Sequence, residues 1–79
     1  KRDQAGLIAL HLRNLFQELP AGQRSALYRV VLDDITLNLE LPREGVESTL
    51  KQFEADGMLT RTGDDLELAD AERLSSITG

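Results

Sequence analysis

Apolar residues recur in the first quarter of the chain at helical spacing. Ile8, Leu12, Leu15 and Leu19 are separated by four, three and four positions, the period that stacks side chains on one face of an α-helix. Leu7, Leu10 and Phe16 widen that stripe, while Arg13, Asn14 and Gln17 fall on the other side of the cylinder. The pattern predicts a helix over residues 4–19, ended by Pro20 and Ala21-Gly22, because proline cannot donate the next backbone bond. Over residues 23–32 the pattern is ambiguous: Leu27, Tyr28, Val30 and Val31 fit a short strand or the start of another helix, and the short strand is the expectation. Asp33 is then placed to cap a short helix over residues 34–38, its carboxylate accepting orphan amides at the positive helix end. Ile35 and Leu39 form the buried edge of that helix.

A break at Leu39-Glu40-Leu41 precedes Pro42, a residue suited to the first helical position, where its missing donor costs nothing. Val46, Leu50 and Phe53, spaced by four and three, mark the core side of a helix over residues 42–56. Arg43, Glu44, Glu47, Ser48 and Lys51 lie elsewhere on that cylinder, Gly45 is a mild weakness near its start, and Gly57 suits a left-handed C-terminal cap. Residues 58–69 read as a β-hairpin: Met58-Leu59-Thr60-Arg61, the turn-rich Thr62-Gly63-Asp64-Asp65, then the alternating Leu66-Glu67-Leu68-Ala69. Asp70 can cap a terminal helix over residues 70–77, with Leu74 and Ile77 as its apolar positions. The fold class predicted is mainly α with a small β wing.

Composition limits this picture to one domain, since 79 residues offer too little apolar surface for two cores. No apolar run approaches the roughly 20 residues a bilayer crossing needs, and no hydrophobic segment follows Lys1-Arg2-Asp3-Gln4, so a cytoplasmic location is the expectation. The start at Lys1 without Met reads as an excised fragment. With no cysteine, disulfides, thiolate metal sites and cysteine nucleophiles are excluded. The formal charge of −5 is opposite to the basic balance usual in nucleic-acid binding, although a local face can still be positive.

Candidate chemistry is sparse. His11 is the single histidine and has no second ligand in register, which points to a surface or partly packed residue and not to a metal site. Asp64-Asp65 fit turn chemistry. No nucleophile-and-base order, phosphate loop or paired-acid motif is present, so neither an enzyme nor a cofactor is expected. Arg43 with Glu47, and Glu47 with Lys51, stand four apart, the spacing of a solvated ladder of helix ion pairs.

The order helix, turn, helix, hairpin is that of a winged helix-turn-helix, in which the first helix of the pair braces the second against a DNA major groove. Residues 34–59, from Asp34-Ile35-Thr36 through Leu39-Glu40-Leu41-Pro42-Arg43-Glu44-Gly45-Val46 and Leu50-Lys51-Gln52-Phe53 to Gly57-Met58-Leu59, resemble the helix-turn-helix signature of the Crp/Fnr transcription regulators, especially the Fnr-like branch. The likeness continues through the hairpin and Asp70-Ala71-Glu72-Arg73-Leu74 to Ile77. It implies a bacterial DNA-binding output domain with residues 33–56 as the helix-turn-helix, double-stranded DNA as partner, and homodimerisation of a longer regulator through an upstream helix. Carried over by position, Arg43 and Glu44 face bases, with Glu44 accepting from cytosine N4 and Arg43 reaching a guanine edge or phosphate. Thr36, Arg61 and Thr62 become backbone clamps and Lys51 a phosphate contact. Glu47 and Ser48 stand where the family has Ser or Gly followed by Arg, Glu40 where it has a turn glycine, and Pro42 where it has a Ser or Thr cap. The helix then carries Arg43 and Lys51 against Glu44, Glu47, Glu54 and Asp56. That acidic balance and the charge of −5 motivate an alternative to DNA binding, a degenerate winged helix acting as a protein-interaction or dimerisation module.

Overall fold

The computed structural model describes residues 4–77. Its elements follow the order α1 (Gln4–Gln17), β1 (Ser25–Leu27), α2 (Tyr28–Leu39), α3 (Arg43–Ala55), β2 (Leu59–Thr62), β3 (Asp65–Leu68) and α4 (Ala71–Ser76). The fold is thus mainly helical with a small antiparallel sheet, in winged helix-turn-helix order. The apolar stripe of α1 buries Ile8, Ala9 and Leu12 completely, and the core is completed by Val31, Leu32 and Ile35 of α2, Val46, Leu50 and Phe53 of α3, and Leu66 of the hairpin. Burying each of the valine, leucine, isoleucine and phenylalanine side chains among them contributes about 1.5–3 kcal/mol relative to exposure, so these positions dominate the stability of the domain.

Helix α1 ends at Gln17, short of the predicted Leu19. The larger difference is α2. It begins at Tyr28 and runs for 12 residues, so the predicted strand is confined to Ser25–Leu27 and Asp33 lies mid-helix. Asp33 caps nothing; its carboxylate instead accepts a hydrogen bond from Arg43. The physical reason is burial: Tyr28, Val31, Leu32 and Ile35 all face the core, a helical period that overrides the strand preference of the Val30-Val31 pair. The first amide of α2, on Tyr28, finds its acceptor across the chain in the Asp64 carbonyl at 2.7 Å. His11 Nε2 of α1 lies 2.6 Å from Asp34 Oδ2 of α2, joining the two helices, and within α2 Asn38 Nδ2 donates to Asp34 Oδ1 at 3.1 Å.

The turn between α2 and α3 is made by Glu40, the only described non-glycine residue with positive φ, at 53°. Pro42 precedes α3 as its N-cap without a side-chain hydrogen bond, so the helix starts one residue later than predicted. At the other end Gly57, with φ of 83°, adopts the left-handed cap read from the sequence. There the Gly57 amide donates to the Glu54 carbonyl (3.1 Å) and the Met58 amide to that of Phe53 (3.0 Å), the two bonds of a Schellman motif.

The hairpin pairs Leu59 with Leu68 and Thr62 with Asp65 around a Gly63-Asp64 loop. Gly63 has φ of 60° and Asp64 is not left-handed, the combination of a II′ turn. β1 adds to the other edge of β3, giving the sheet order β1-β3-β2. Asp70 caps α4 as predicted, accepting from the Arg73 amide at 3.0 Å. Leu74 is buried in the core that α1 shares, whereas Ile77 is 38 % exposed and follows the helix, so only one of the two predicted apolar positions anchors α4. Arg73 also donates to the Asp56 carbonyl at 2.6 Å, tying α4 to the end of α3.

Candidate nucleic-acid interface

Helix α3 turns Val46, Leu50 and Phe53 inward and leaves Arg43, Glu44, Ser48 and Lys51 exposed. That division follows from its period: the apolar residues repeat at four and three, and the polar ones occupy the remaining arc. The hairpin folds back so that Arg61 of β2 comes over α2 and α3. Between them opens a cleft of about 390 Å³ lined by Tyr28, Glu44, Glu47, Ser48, Lys51 and Arg61. Five of these six were predicted site residues, drawn from two segments that are distant in sequence.

Tyr28 was not among them. Its ring is 6 % exposed and forms the floor on which Arg61 rests, with the guanidinium carbon 3.9 Å from the ring centroid. A cation–π contact at an exposed position contributes about 0.5–1 kcal/mol and holds the arginine head in one place. Burial pushes the Tyr28 phenol above its usual pKa, the Arg61 charge pulls it down, and Glu47 and Glu54 push it up again. No local signal marks this pairing, because Tyr28 and Arg61 meet through the pairing of both β1 and β2 with β3.

Asp33 is the second residue that spacing did not reveal. Arg43 Nη1 donates to Asp33 Oδ1 at 2.8 Å, and that hydrogen bond raises the arginine pKa. Arg43 is therefore anchored to α2 and does not line the cleft. The predicted helix ladder is absent: among the described residues Arg43 pairs with Asp33, His11 lies against Asp34, and neither Arg43–Glu47 nor Glu47–Lys51 forms an ion pair. Thr36 lies on α2 outside the cleft lining, its hydroxyl donating to the Asp33 carbonyl at 2.9 Å. Thr62 ends β2, exposed and likewise outside the lining.

Chemically, the cleft combines two cations, two carboxylates, the Ser48 hydroxyl and the Tyr28 phenol on an open surface. Lys51 and Arg61 can hold phosphate oxygens, while Glu44 and Glu47 accept only from donors such as the exocyclic amines of bases. Among the described residues no group of three or more His, Asp or Glu side chains could hold a metal ion, and no helix is long and apolar enough to cross a membrane. No family model matches the chain, and no match is found among curated proteins. The class defined here is therefore one of architecture: a helical domain with a β wing and a polar cleft between wing and third helix.

Proposed function

We propose that this domain binds double-stranded DNA, with α3 entering the major groove and the hairpin lying along the adjacent backbone, as the output domain of a bacterial, cytoplasmic regulator of the Crp/Fnr type. One observation carries the reading. The exposed edge of α3 and the tip-side cation of the wing open onto a single cleft, so that Lys51 and Arg61 can grip phosphates while Glu44 meets base edges. In a longer regulator, dimerisation through an upstream helix would present two such surfaces to two half-sites. No catalysis is part of the proposal.

The same geometry explains why binding should be weak. Arg43 must leave Asp33 before it can reach a guanine, and Glu47 opposes nearby phosphates. Titration of labelled duplex DNA by anisotropy tests the reading. Binding is expected at low salt with affinity falling steeply as salt rises, and Lys51→Ala or Arg61→Ala should each reduce the slope of log K against log salt by about 1. Arg43→Ala should remove much of the sequence preference, and Glu47→Arg should tighten binding. Absence of duplex binding at low salt, or binding indifferent to Lys51 and Arg61, rejects the proposal. A second reading, a protein partner in the same cleft, is favoured by the carboxylates of Glu44 and Glu47 that match the cations in number; it requires the Glu47→Arg variant to gain no DNA affinity.

A further inference from the structure

The turn between α2 and α3 is short, and it lays the first residue of α3 alongside the middle of α2. Glu40 turns the chain with φ of 53°, Pro42 precedes α3, and Arg43 opens it. Arg43 Nη1 then donates to Asp33 Oδ1 at 2.8 Å, ten positions back in the chain. A cation at the positive end of its own helix is poorly placed, and a carboxylate beside its head offsets that. The contact sets Arg43 apart from its helix neighbours: Glu44, Glu47, Ser48 and Lys51 line the cleft and Arg43 does not. Both partners are more than half exposed, so water and competing acceptors reach the pair.

We propose that Asp33 determines how much sequence preference this domain expresses: it is a latch that holds Arg43 away from base edges until a guanine takes its place. The inference rests on the DNA-binding reading and concerns how that surface discriminates. On most duplexes Arg43 stays with Asp33 while Lys51 and Arg61 grip phosphates, contacts that position the domain and read no sequence. On a preferred duplex guanine O6 and N7 engage both arms of the guanidinium fork, against the single hydrogen bond that Asp33 accepts. The cost of parting the pair therefore falls on the preferred sequence alone. An exposed ion pair is worth a factor of about 1.5 to 5 in an equilibrium constant, and that factor is what the latch subtracts from discrimination. Asp33 acts through Arg43 and touches no base, so it is a positioning residue.

Anisotropy titrations of the full chain at low salt test this on a duplex that the chain itself enriches from a randomised pool. The comparison duplexes carry deazaguanine at each guanine in turn, which removes the N7 acceptor and keeps base pairing. Asp33→Asn, an isosteric change at an exposed position, should tighten binding to the enriched duplex by a factor of about 1.5 to 5. It should leave the duplex lacking the contacted N7 unchanged, so the ratio between the two widens by the same factor. In an Arg43→Ala background the substitution should do nothing, and Asp33→Glu, which keeps the carboxylate, should stay close to wild type. Equal tightening on both duplexes, or tightening without Arg43, makes Asp33 a mere repeller of phosphates and overturns the latch. Unchanged binding, or no guanine whose N7 matters, overturns it too. With wild-type binding still dependent on Lys51 and Arg61, each of these results leaves the DNA reading standing, whereas no duplex binding by either protein rejects both. NMR of the arginine side-chain nitrogens gives a readout without DNA: the Arg43 guanidinium should rotate slowly in wild type and fast in Asp33→Asn, and fast rotation in wild type overturns the latch.

Discussion

Glu40 occupies the left-handed region that links α2 to α3, and Glu40→Gly is the most direct test of how that turn is held. A residue with a Cβ in this conformation is strained by about 1–2 kcal/mol, and its φ of 53° is the value at which the strain applies. Glycine relieves the strain but adds unfolded-state freedom worth about 0.5–1 kcal/mol. The Glu40 side chain is exposed and makes no hydrogen bond among the described residues, so no packing is lost. It also places a negative charge at the negative end of α2, an unfavourable position by about 0.3–1 kcal/mol at low ionic strength. The net expectation is a gain of about 0.3–2.5 kcal/mol, which for a domain of this size raises Tm by roughly 1–20 °C. Glu40→Ala removes the charge and keeps the Cβ, so it isolates the dipole contribution and should gain only the corresponding amount, about 0.3–1 kcal/mol. Thermal and urea unfolding of the three proteins, followed by circular dichroism, provide the comparison. Equal Tm values for the glycine and alanine variants would refute the strain argument, and a glycine variant less stable than wild type would refute the whole assignment of the turn.

Two further outcomes follow from the termini and the cleft. Gly57→Ala puts a Cβ on the left-handed cap of α3, where φ is 83°, and should cost about 1–2 kcal/mol in urea unfolding; an unchanged midpoint would show that the Schellman bonds are not needed. Tyr28 is the only tyrosine, and there is no tryptophan, so its ionisation can be followed directly by ultraviolet absorbance. Because burial raises its folded pKa above the ordinary value of 10.0, its neutral form is the one the fold favours. That contribution is complete below the unfolded pKa and is lost as pH rises through the folded one. Stability should therefore fall above pH 10 in wild type and fall less steeply in Tyr28→Phe, and parallel pH profiles would remove the burial argument.

Elements set by nearest neighbours were legible in the sequence, and contacts made across the chain were not. The recognition-type helix, its Gly57 cap, the Gly63-Asp64 turn and the Asp70 cap all depend on residues within a few positions of one another, where period and turn chemistry act directly. The start of α2 escaped because Val30-Val31 and Asp33 carry local preferences for strand and cap, while the burial of Tyr28 and its amide bond to Asp64 depend on the hairpin. Among the site residues, Glu44, Glu47, Ser48, Lys51 and Arg61 line one cleft. The partners that position two of the cations did not emerge, because Asp33 reaches Arg43 around the helix turn and Tyr28 reaches Arg61 across the sheet. Spacing within a single helix suggested Glu47 as the partner of Arg43; the folded chain offered a better-placed carboxylate.

The middle position of β3 has a consequence for synthesis. Its two neighbours precede it in the chain, one by about forty residues, yet neither has a pairing edge until Asp65–Leu68 exists. As the polypeptide leaves the ribosome, β1 must wait unpaired while α2, α3 and β2 are made, and the acceptor for the Tyr28 amide arrives just before that last strand. The helices can form and collide early, but the seat of Arg61 on the tyrosine ring is completed only when Asp65–Leu68 has emerged.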